Sequence, residues 1–520
     1  MKLKQFLFSA ALLASMNAIG QSVPTHEMYV DFGITERTDI VSALDKWQPG
    51  DNFSNDPDYQ DENFFISRVP LKSRFINQNT QANKNLNEEN NKNLCWCSPI
   101  GEMTKKWGPM PRYNFDGDNF NMWQYINIHA NWSNTWFRVP GTFNDVAHKN
   151  GVRTGCLYFI DWAEQVSATS SAGKMLAELC AKDGSGNFKY ARKLIQFLKY
   201  YGIDGLGLNP EGYWSTQLNE DFSSFLAECH KVAKEMNHPF HVEWYAFVSN
   251  TGGLNDNGCK LEIGANDKWF HKNGNPVTDV FFLNYNWSES GLQTSAEAAK
   301  SLGRSTYDVY AGFDQQGRGY GKYGNAGWTA LMRQPVSIVV WGAHDRSQLY
   351  AGSTEGGNSD LSVQNEYQKK QELLFTGGSR NVLRTPDITD DAITSSYSDL
   401  AKWHGYSKAV IEESALTELP FVTRFNLGNG LSFSKDGVVT FEHKWYNLGL
   451  QDLLPTWRWW IDNGDGTTIP ADPINCDFTF DDAWFGGSCL KLHGATSKSN
   501  IRLFSTKFNV ASASDEFTIV

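Results

Sequence analysis

Residues Tyr200 to Trp214 read Y-Y-G-I-D-G-L-G-L-N-P-E-G-Y-W, and the fold is decided by how this stretch is parsed. Ahead of it, Leu194, Phe197, Leu198 and Tyr201 recur at helical spacing, and Gly202 stops that run. Ile203 to Leu208 then reads as a short, buried, glycine-rich strand. A helix, a glycine and a strand in succession form the unit that a parallel α/β barrel repeats. Asn209 and Glu211 follow where that strand ends. Side chains at i and i+2 of a strand point to one side, about 6–7 Å apart. An amide and a carboxyl at the carboxyl end of a barrel strand face the place where barrel enzymes work. A second reading stays open on these residues alone. Asn209-Pro210 is itself a turn signal, and Glu211 is then a solvated loop acid.

Working outward, short apolar runs recur at barrel-repeat spacing. Strands are expected at Trp123–His129, Arg153–Phe159, Ile203–Leu208, Phe240–Trp244, Val280–Leu283, Val309–Phe313 and Ser337–Trp341, with helical patterns such as Asp221–Met236 and Thr294–Leu302 between them. A (β/α)8 barrel needs eight strands, and the eighth is guessed near Val382 to Leu383. Beyond about Ser395 the helical period fades. Short alternating runs separated by Gly, Asn and Asp read as a β-sandwich. The expected organisation is therefore an α/β TIM-type barrel over 123–395 and a sandwich over 396–520, which leaves open a longer C-terminal region. An irregular lead-in over 21–122 precedes them, with an Asn-rich solvated run from Asn77 to Asn93.

Residues 1–20 carry Lys2 and Lys4, an apolar run from Phe6 to Leu13 and a small-residue site at Ala18-Ile19-Gly20. That is the pattern of a signal peptide, and it predicts an exported protein. The apolar run is too short to span a membrane. With 58 acidic against 46 basic residues the net charge is −12, which argues against nucleic acid as a partner. The 19 Trp, 20 Tyr and 33 Phe suit a carbohydrate site, because flat rings stack on sugar faces, although most aromatics must serve the core. The eight cysteines are scattered. Cys95 and Cys97, in C-W-C, are too close to bridge easily, no zinc spacing is present, and Cys476 with Cys489 is the most plausible disulfide.

The chain resembles the family 85 glycoside hydrolases, endo-β-N-acetylglucosaminidases acting on the N,N′-diacetylchitobiose core of N-linked glycans. The family pattern D-G-x-x-x-N-x-E stands here at Asp204, Gly205, Asn209 and Glu211. Further matches in family order are W-Q-Y-I-N-I from Trp123, F-L-N-Y-N-W from Phe282, D-V-Y-A-G-F-D-Q-Q-G-R-G from Asp308, F-T-G-G from Phe375 and N-L-G-L-Q-D-L-L-P-T-W-R-W from Asn447. Segments at Arg68 and Trp107 resemble the family's lead-in.

The resemblance implies retaining, substrate-assisted hydrolysis. Two carboxylates are usual for a glycosidase, but here one, Glu211, stands beside an amide. Asn209 is expected to orient the 2-acetamido group of the substrate, Glu211 to act as acid and then base, and Tyr245 to help hold the acetamido group. Polar and aromatic residues after successive strands supply the expected substrate-binding set: Trp162, Trp244, Asn284, Trp287 and Asp314, with Arg318, Trp341, His344 and Asp345 nearby. No metal or organic cofactor is required, and the partner is an N-glycan or N-glycoprotein.

Two departures from the family stand out. Gly207 and Pro210 replace apolar residues, and Gly253-Leu254-Asn255-Asp256 replaces an L-N-W-Q segment, with loss of one sugar-stacking Trp. A family 18-type chitinase or endoglycosidase is one alternative, though it would want an acid at position 209. A non-catalytic glycan-binding protein on the same scaffold is the other.

Overall fold

Gly205–Pro210 is a strand buried along its whole length, paired in parallel with Arg153–Ile160 on one side and His241–Tyr245 on the other. It belongs to a closed barrel of eight parallel strands: β1 (Leu94–Ser98), β2 (Ile128–Asn131), β3 (Arg153–Ile160), β4 (Gly205–Pro210), β5 (His241–Tyr245), β6 (Val280–Phe282), β7 (Val309–Asp314) and β8 (Ser337–Trp341). Sequence neighbours pair all the way round, and β1 closes the ring on β8, with Cys95 opposite Val339 and Cys97 opposite Trp341. In this computed structural model the described residues are 39–48, 66–98, 119–131, 136–137, 139–160, 164–315, 327–341, 361–389, 400–510, 512–514, 516 and 518. The signal-peptide reading of residues 1–20 lies outside them.

Helices between the strands include Gly141–Lys149, Ala191–Tyr201, Thr216–Glu235 and Glu289–Ser301. Gly202, with φ 72°, ends the second of these in the left-handed conformation that glycine adopts without a Cβ penalty. Two expectations are corrected. The eighth strand is Leu94–Ser98, within the stretch read as lead-in, whereas Val382–Arg384 is a 3-10 turn. The run at Trp123 opens with a 3-10 turn, and its strand begins only at Ile128.

Because strands of a closed parallel barrel are buried on both faces, alternate residues feed two different cores. Cys95, Cys97, Ile128, Ala130, Leu157, Tyr245, Val280, Phe282, Tyr310 and Val339 fill the interior. Their chain neighbours, such as Trp96, Tyr158, Trp244 and Phe281, pack outward against the helices. After the barrel, antiparallel pairs follow, among them Ile474–Thr479 with Cys489–Gly494. That register puts Cys476 opposite Leu492 and Cys489 opposite Thr479, so the expected disulfide does not form, and all eight cysteines are free thiols.

The C-terminal region docks through buried indoles and amides. Trp457, Trp459 and Trp460 join the outer core. Gln451 accepts a hydrogen bond from Trp123 Nε1 at 2.7 Å and donates to the carbonyls of Phe120 and Leu427. Glu372, on the helix Leu361–Thr376, pairs with both Arg380 and Arg458. Two of the motifs shared with family 85, at Trp123 and Asn447, therefore meet at this seam rather than at a cavity.

Asp204 lies just before β4 with outward parity, and its Oδ2 meets His148 Nε2 at 2.8 Å and the Thr154 amide at 2.8 Å. His148 Nδ1 faces the Val69 carbonyl at 2.7 Å. Both ring nitrogens thus face acceptors, the arrangement of an imidazolium. Burial works against that charge, but the hydrogen bond and charge of Asp204 outweigh it and hold the histidine above its ordinary pKa. A folded-state pKa raised above the unfolded value contributes stability that is present below about pH 6.5 and is lost as pH rises through the folded value. Urea denaturation at fixed pH values is expected to show this fall, and Asp204→Asn to flatten it while costing about 3–5 kcal/mol.

Trp244 and Trp287 need correction as sugar-binding residues. Trp244 is fully buried and stacks on Trp269 at 3.8 Å, because it is the outward neighbour of inward-facing Tyr245. Trp287 is also fully buried, donates from Nε1 to the Gly312 carbonyl at 2.9 Å and meets Phe313 edge-on. Trp244→Ala is expected to cost about 3–5 kcal/mol. The loss should appear in the denaturant midpoint rather than in ligand affinity.

Candidate active site

On the inner face of β4, positions 205 and 207 are glycines and positions 209 and 211 carry functional side chains. The glycines are a packing requirement. A Cβ on Gly205 would lie 2.4 Å from the His241 ring, and one on Gly207 would lie 2.6 Å from Leu157 and 3.2 Å from Glu243. The lower barrel is thus filled from β3 and β5, and β4 adds side chains only at its carboxyl end.

There a cavity of about 290 Å³ opens, lined by Leu157 and Phe159 from β3, Asn209 and Glu211 at the end of β4, and Tyr245 from β5. Phe282 and Tyr285 from the end of β6, Asp314 from β7 and Trp341 from β8 complete it. Six successive strands contribute, all at their carboxyl ends, where (β/α)8 enzymes hold their active sites.

Asn209 is 7% exposed, and its Nδ2 donates to Glu211 Oε1 at 3.0 Å. Its Oδ1 has no hydrogen-bond partner among the described residues. A buried carbonyl oxygen without a donor is costly unless something supplies one. Pro210 fits without disturbing this arrangement. The Glu211 amide donates to the Ile160 carbonyl at 3.2 Å on the β3 side, so the N–H that proline lacks falls on the β5 side. The β4–β5 ladder has already ended at Leu208–Trp244.

Tyr245 lies nearly flat against Phe247, is 5.1 Å edge-on from Phe282 and 6.1 Å from Tyr285, all between ring centroids. Burial, followed by the charges around Tyr245, Asp314, Cys97 and Glu211, pushes the Tyr285 hydroxyl well above the ordinary tyrosine pKa. It therefore stays protonated and can donate within the cavity.

The predicted residues divide clearly. Asn209, Glu211, Tyr245 and Asp314 are brought together around one cavity, while Trp244 and Trp287 lie in the outer core. Asn284 is buried beside the site, but its amide is spent locally. It donates to Asp256 at 3.3 Å and accepts from the Tyr285 amide at 2.6 Å, tying the loop after β5 to the end of β6. Trp162, Arg318, His344 and Asp345 lie outside the described residues, as does the W-G-P-M-P segment at Trp107. Tyr285, which with Asn284 and Trp287 follows a strand end in the sequence reading, lines the cavity; Phe159 and Phe282 were not selected from the sequence, although they keep the inward parity of Leu157 and Val280. Among the described residues no group of three or more His, Cys, Asp or Glu side chains is placed to hold a metal ion, and no helix is long and apolar enough to cross a membrane.

Comparison with known proteins gives this geometry a family. The glycosyl hydrolase family 85 model matches residues 104–433. The cytosolic endo-beta-N-acetylglucosaminidase of Gallus gallus is 23% identical over 500 residues, 92% of this chain and 55% of that protein. The human cytosolic endo-beta-N-acetylglucosaminidase is 23% identical over 393 residues, 74% of this chain and 45% of its own length. The chain thus spans about half the length of these curated relatives. Among solved structures, the glycoside hydrolase domain of Endo-D from Streptococcus pneumoniae R6 superimposes with a TM-score of 0.72 at 23% identity, over 90% of this chain and 68% of that one, and shares the fold. The expectation of export is overturned by these relatives, since those from Gallus gallus, Danio rerio, Homo sapiens and Mus musculus are all named cytosolic. A barrel whose fourth strand ends in Asn209 and Glu211, over a cavity lined from six strands, is the scaffold on which the family match rests, and the chain belongs to glycosyl hydrolase family 85.

Proposed function

We propose that this chain is an endo-β-N-acetylglucosaminidase that hydrolyses the β-1,4 bond of the N,N′-diacetylchitobiose core of N-linked glycans. Family membership and the names of its relatives support this reading. The observation that carries the mechanism is the Asn209–Glu211 pair. The amide nitrogen is engaged by the carboxyl oxygen at 3.0 Å, and the amide oxygen has no partner.

In this reading Oδ1 of Asn209 accepts the N–H of the substrate's 2-acetamido group, and Tyr245 helps to hold that group. The acetamido oxygen is thereby aimed at the anomeric carbon. Polarisation of the N–H makes that oxygen the nucleophile, and an oxazoline-type intermediate forms as the bond to the leaving O4 breaks. Glu211 gives its proton to O4 and later takes one from the incoming water, so the configuration is retained. Asp314 lies three strands round the ring from β4 and is suited to accept a sugar hydroxyl rather than to act as a second carboxylate beside Glu211. The aromatic walls Phe159, Phe282, Tyr285 and Trp341 give the sugar rings apolar faces to rest on. A family 18-type reaction would need an acid where Asn209 stands.

Incubation with a mannose-rich N-glycoprotein followed by mass spectrometry is expected to leave one N-acetylglucosamine on the asparagine. Release of the intact glycan, or of single terminal sugars, would overturn the assignment. Glu211→Gln is expected to lower kcat/KM by about 10²–10⁴ for each proton transfer it serves. Asn209→Ala is expected to abolish glycan hydrolysis but still to transfer a preformed sugar oxazoline, which already contains the ring that Asn209 helps to close. Equal loss of both reactions would mean that Asn209 only supports the site.

A further inference from the structure

The segment after β5 that departs from the family pattern, Gly253 to Asp256, runs into an unusual turn. Asn257, Gly258 and Cys259 all take positive φ, at 51°, 65° and 57°. Left-handed backbone is ordinarily confined to single residues, because a Cβ there crowds the carbonyl that follows it. Here Asp256 holds such residues in succession. Its Oδ1 accepts the Gly258 amide at 3.0 Å, its Oδ2 the Cys259 thiol at 3.3 Å, and its carbonyl the Cys259 amide at 2.8 Å. The far end of the turn is anchored too. The amide of buried Leu261 donates to Ser295 Oγ, on the helix Glu289–Ser301, at 2.8 Å.

The turn uses only part of this carboxyl. Oδ2 also accepts from Asn284 Nδ2 at 3.3 Å, 28 residues further along the chain at the end of β6. Asn284 is buried, and its Oδ1 in turn accepts the Tyr285 N–H at 2.6 Å. One relay therefore runs from carboxyl to amide to the backbone of Tyr285, where the chain bends. β7 closes the other flank of that bend. A Cβ on Gly312 would stand 2.4 Å from the Leu283 carbonyl oxygen and 3.1 Å from that of Asn284, and the Gly312 carbonyl accepts from Trp287 Nε1 at 2.9 Å. Backbone packing thus fixes one side of the bend and Asp256 the other. Between them the Tyr285 ring is set into the cavity wall, with its centroid 6.1 Å from that of Tyr245 and 5.7 Å from that of Phe282.

The relay has a polarity. An acceptor at position 256 leaves Asn284 Oδ1 turned to Tyr285. A donor there would force the Asn284 amide to turn over, and its Nδ2 would then meet the Tyr285 N–H, donor against donor. We propose that Asp256 is a positioning residue for the candidate site: acting through Asn284, it fixes the bend that sets Tyr285 in the cavity wall, and so sets how tightly the site holds a sugar. This rests on the reading of the cavity as the glycan site.

The test uses the full chain. Asp256→Asn keeps the shape of the side chain, and its remaining oxygen can still take the Gly258 amide, so the turn survives while the relay fails. KM for an N-glycopeptide is expected to rise about tenfold, the order of one hydrogen bond to a charged group, while kcat stays within about threefold. The exchange of Asp256→Asn together with Asn284→Asp restores donor to acceptor along the relay and is expected to recover the wild-type KM. In a Tyr285→Ala background, Asp256→Asn is expected to change KM by less than about twofold, because the wall it positions is gone. An unchanged KM in folded Asp256→Asn protein, or the same rise in both backgrounds, overturns the proposal. Should Asp256→Asn not fold, Asn284→Ala breaks the relay without touching the Asp256–Gly258 bond and is read in the same two backgrounds by the same criteria. A second readout needs no substrate. In the chain labelled with 3-fluorotyrosine, the fluorine-19 resonance lost in Tyr285→Phe is expected to shift or broaden in Asp256→Asn, and an unmoved resonance overturns the proposal. A shifted resonance in a protein whose wild type cleaves no glycan sustains the positioning and removes the functional reading instead.

Discussion

The structure depends on the two-residue alternation along Asp204 to Glu211, the strand Gly205–Pro210 with the residue on either side of it. Its outward residues fix it to the helical shell, through the ion pair of Asp204 with His148 and the burial of Leu206 and Leu208. Its inward residues are two glycines followed by the amide and carboxyl of the candidate site. A slip of one residue would turn every side chain to the other face. Asp204 would then enter the barrel, and Asn209 would be buried against helices. The buried ion pair therefore sets the register that aims the chemistry, although it lies outside the cavity.

The parts legible from sequence were those that this alternation makes local. Asn209, Glu211 and Tyr245 fall at strand ends and match spaced family motifs, and the structure brings all three to one cavity. Trp244 misled because a residue beside a site residue on a strand faces away from the site, and its indole fills the outer core; Trp287, in the loop beyond β6, turns back to bond Gly312 and pack on Phe313 in that same core. Reading parity as well as position would have passed over Trp244. The first strand escaped notice for a different reason. L-C-W-C-S is short and has an Asn-rich approach, and its cysteines invite questions about bridges and metals. In the barrel they behave as small interior side chains, with Trp96 between them facing outward.

Shared motifs also proved to be of two kinds. Those at Asp204, Phe282 and Asp308 reach the cavity through Asn209, Glu211, Phe282, Tyr285 and Asp314. Those at Trp123, Phe375 and Asn447 build the outer core and the C-terminal seam: Trp123 bonds Gln451, Phe375 packs between Trp96 and Tyr125, and Gly378 donates to the Trp403 carbonyl at 2.9 Å. Sequence alone ranks the two kinds alike, because a buried amide or indole at a seam is as constrained as a catalytic group.

The closure of β1 onto β8 has a consequence for how the chain is made. Ribosomes deliver Leu94–Ser98 long before Ser337–Trp341, so the first strand leaves the exit tunnel with one of its two edges still unmatched. Nearly 250 residues must follow before the second edge is covered, and still more before Trp457, Trp459 and Trp460 arrive to cap the outer shell. Throughout that interval Cys95, Trp96 and Cys97 lack the completed barrel that buries them in the finished fold.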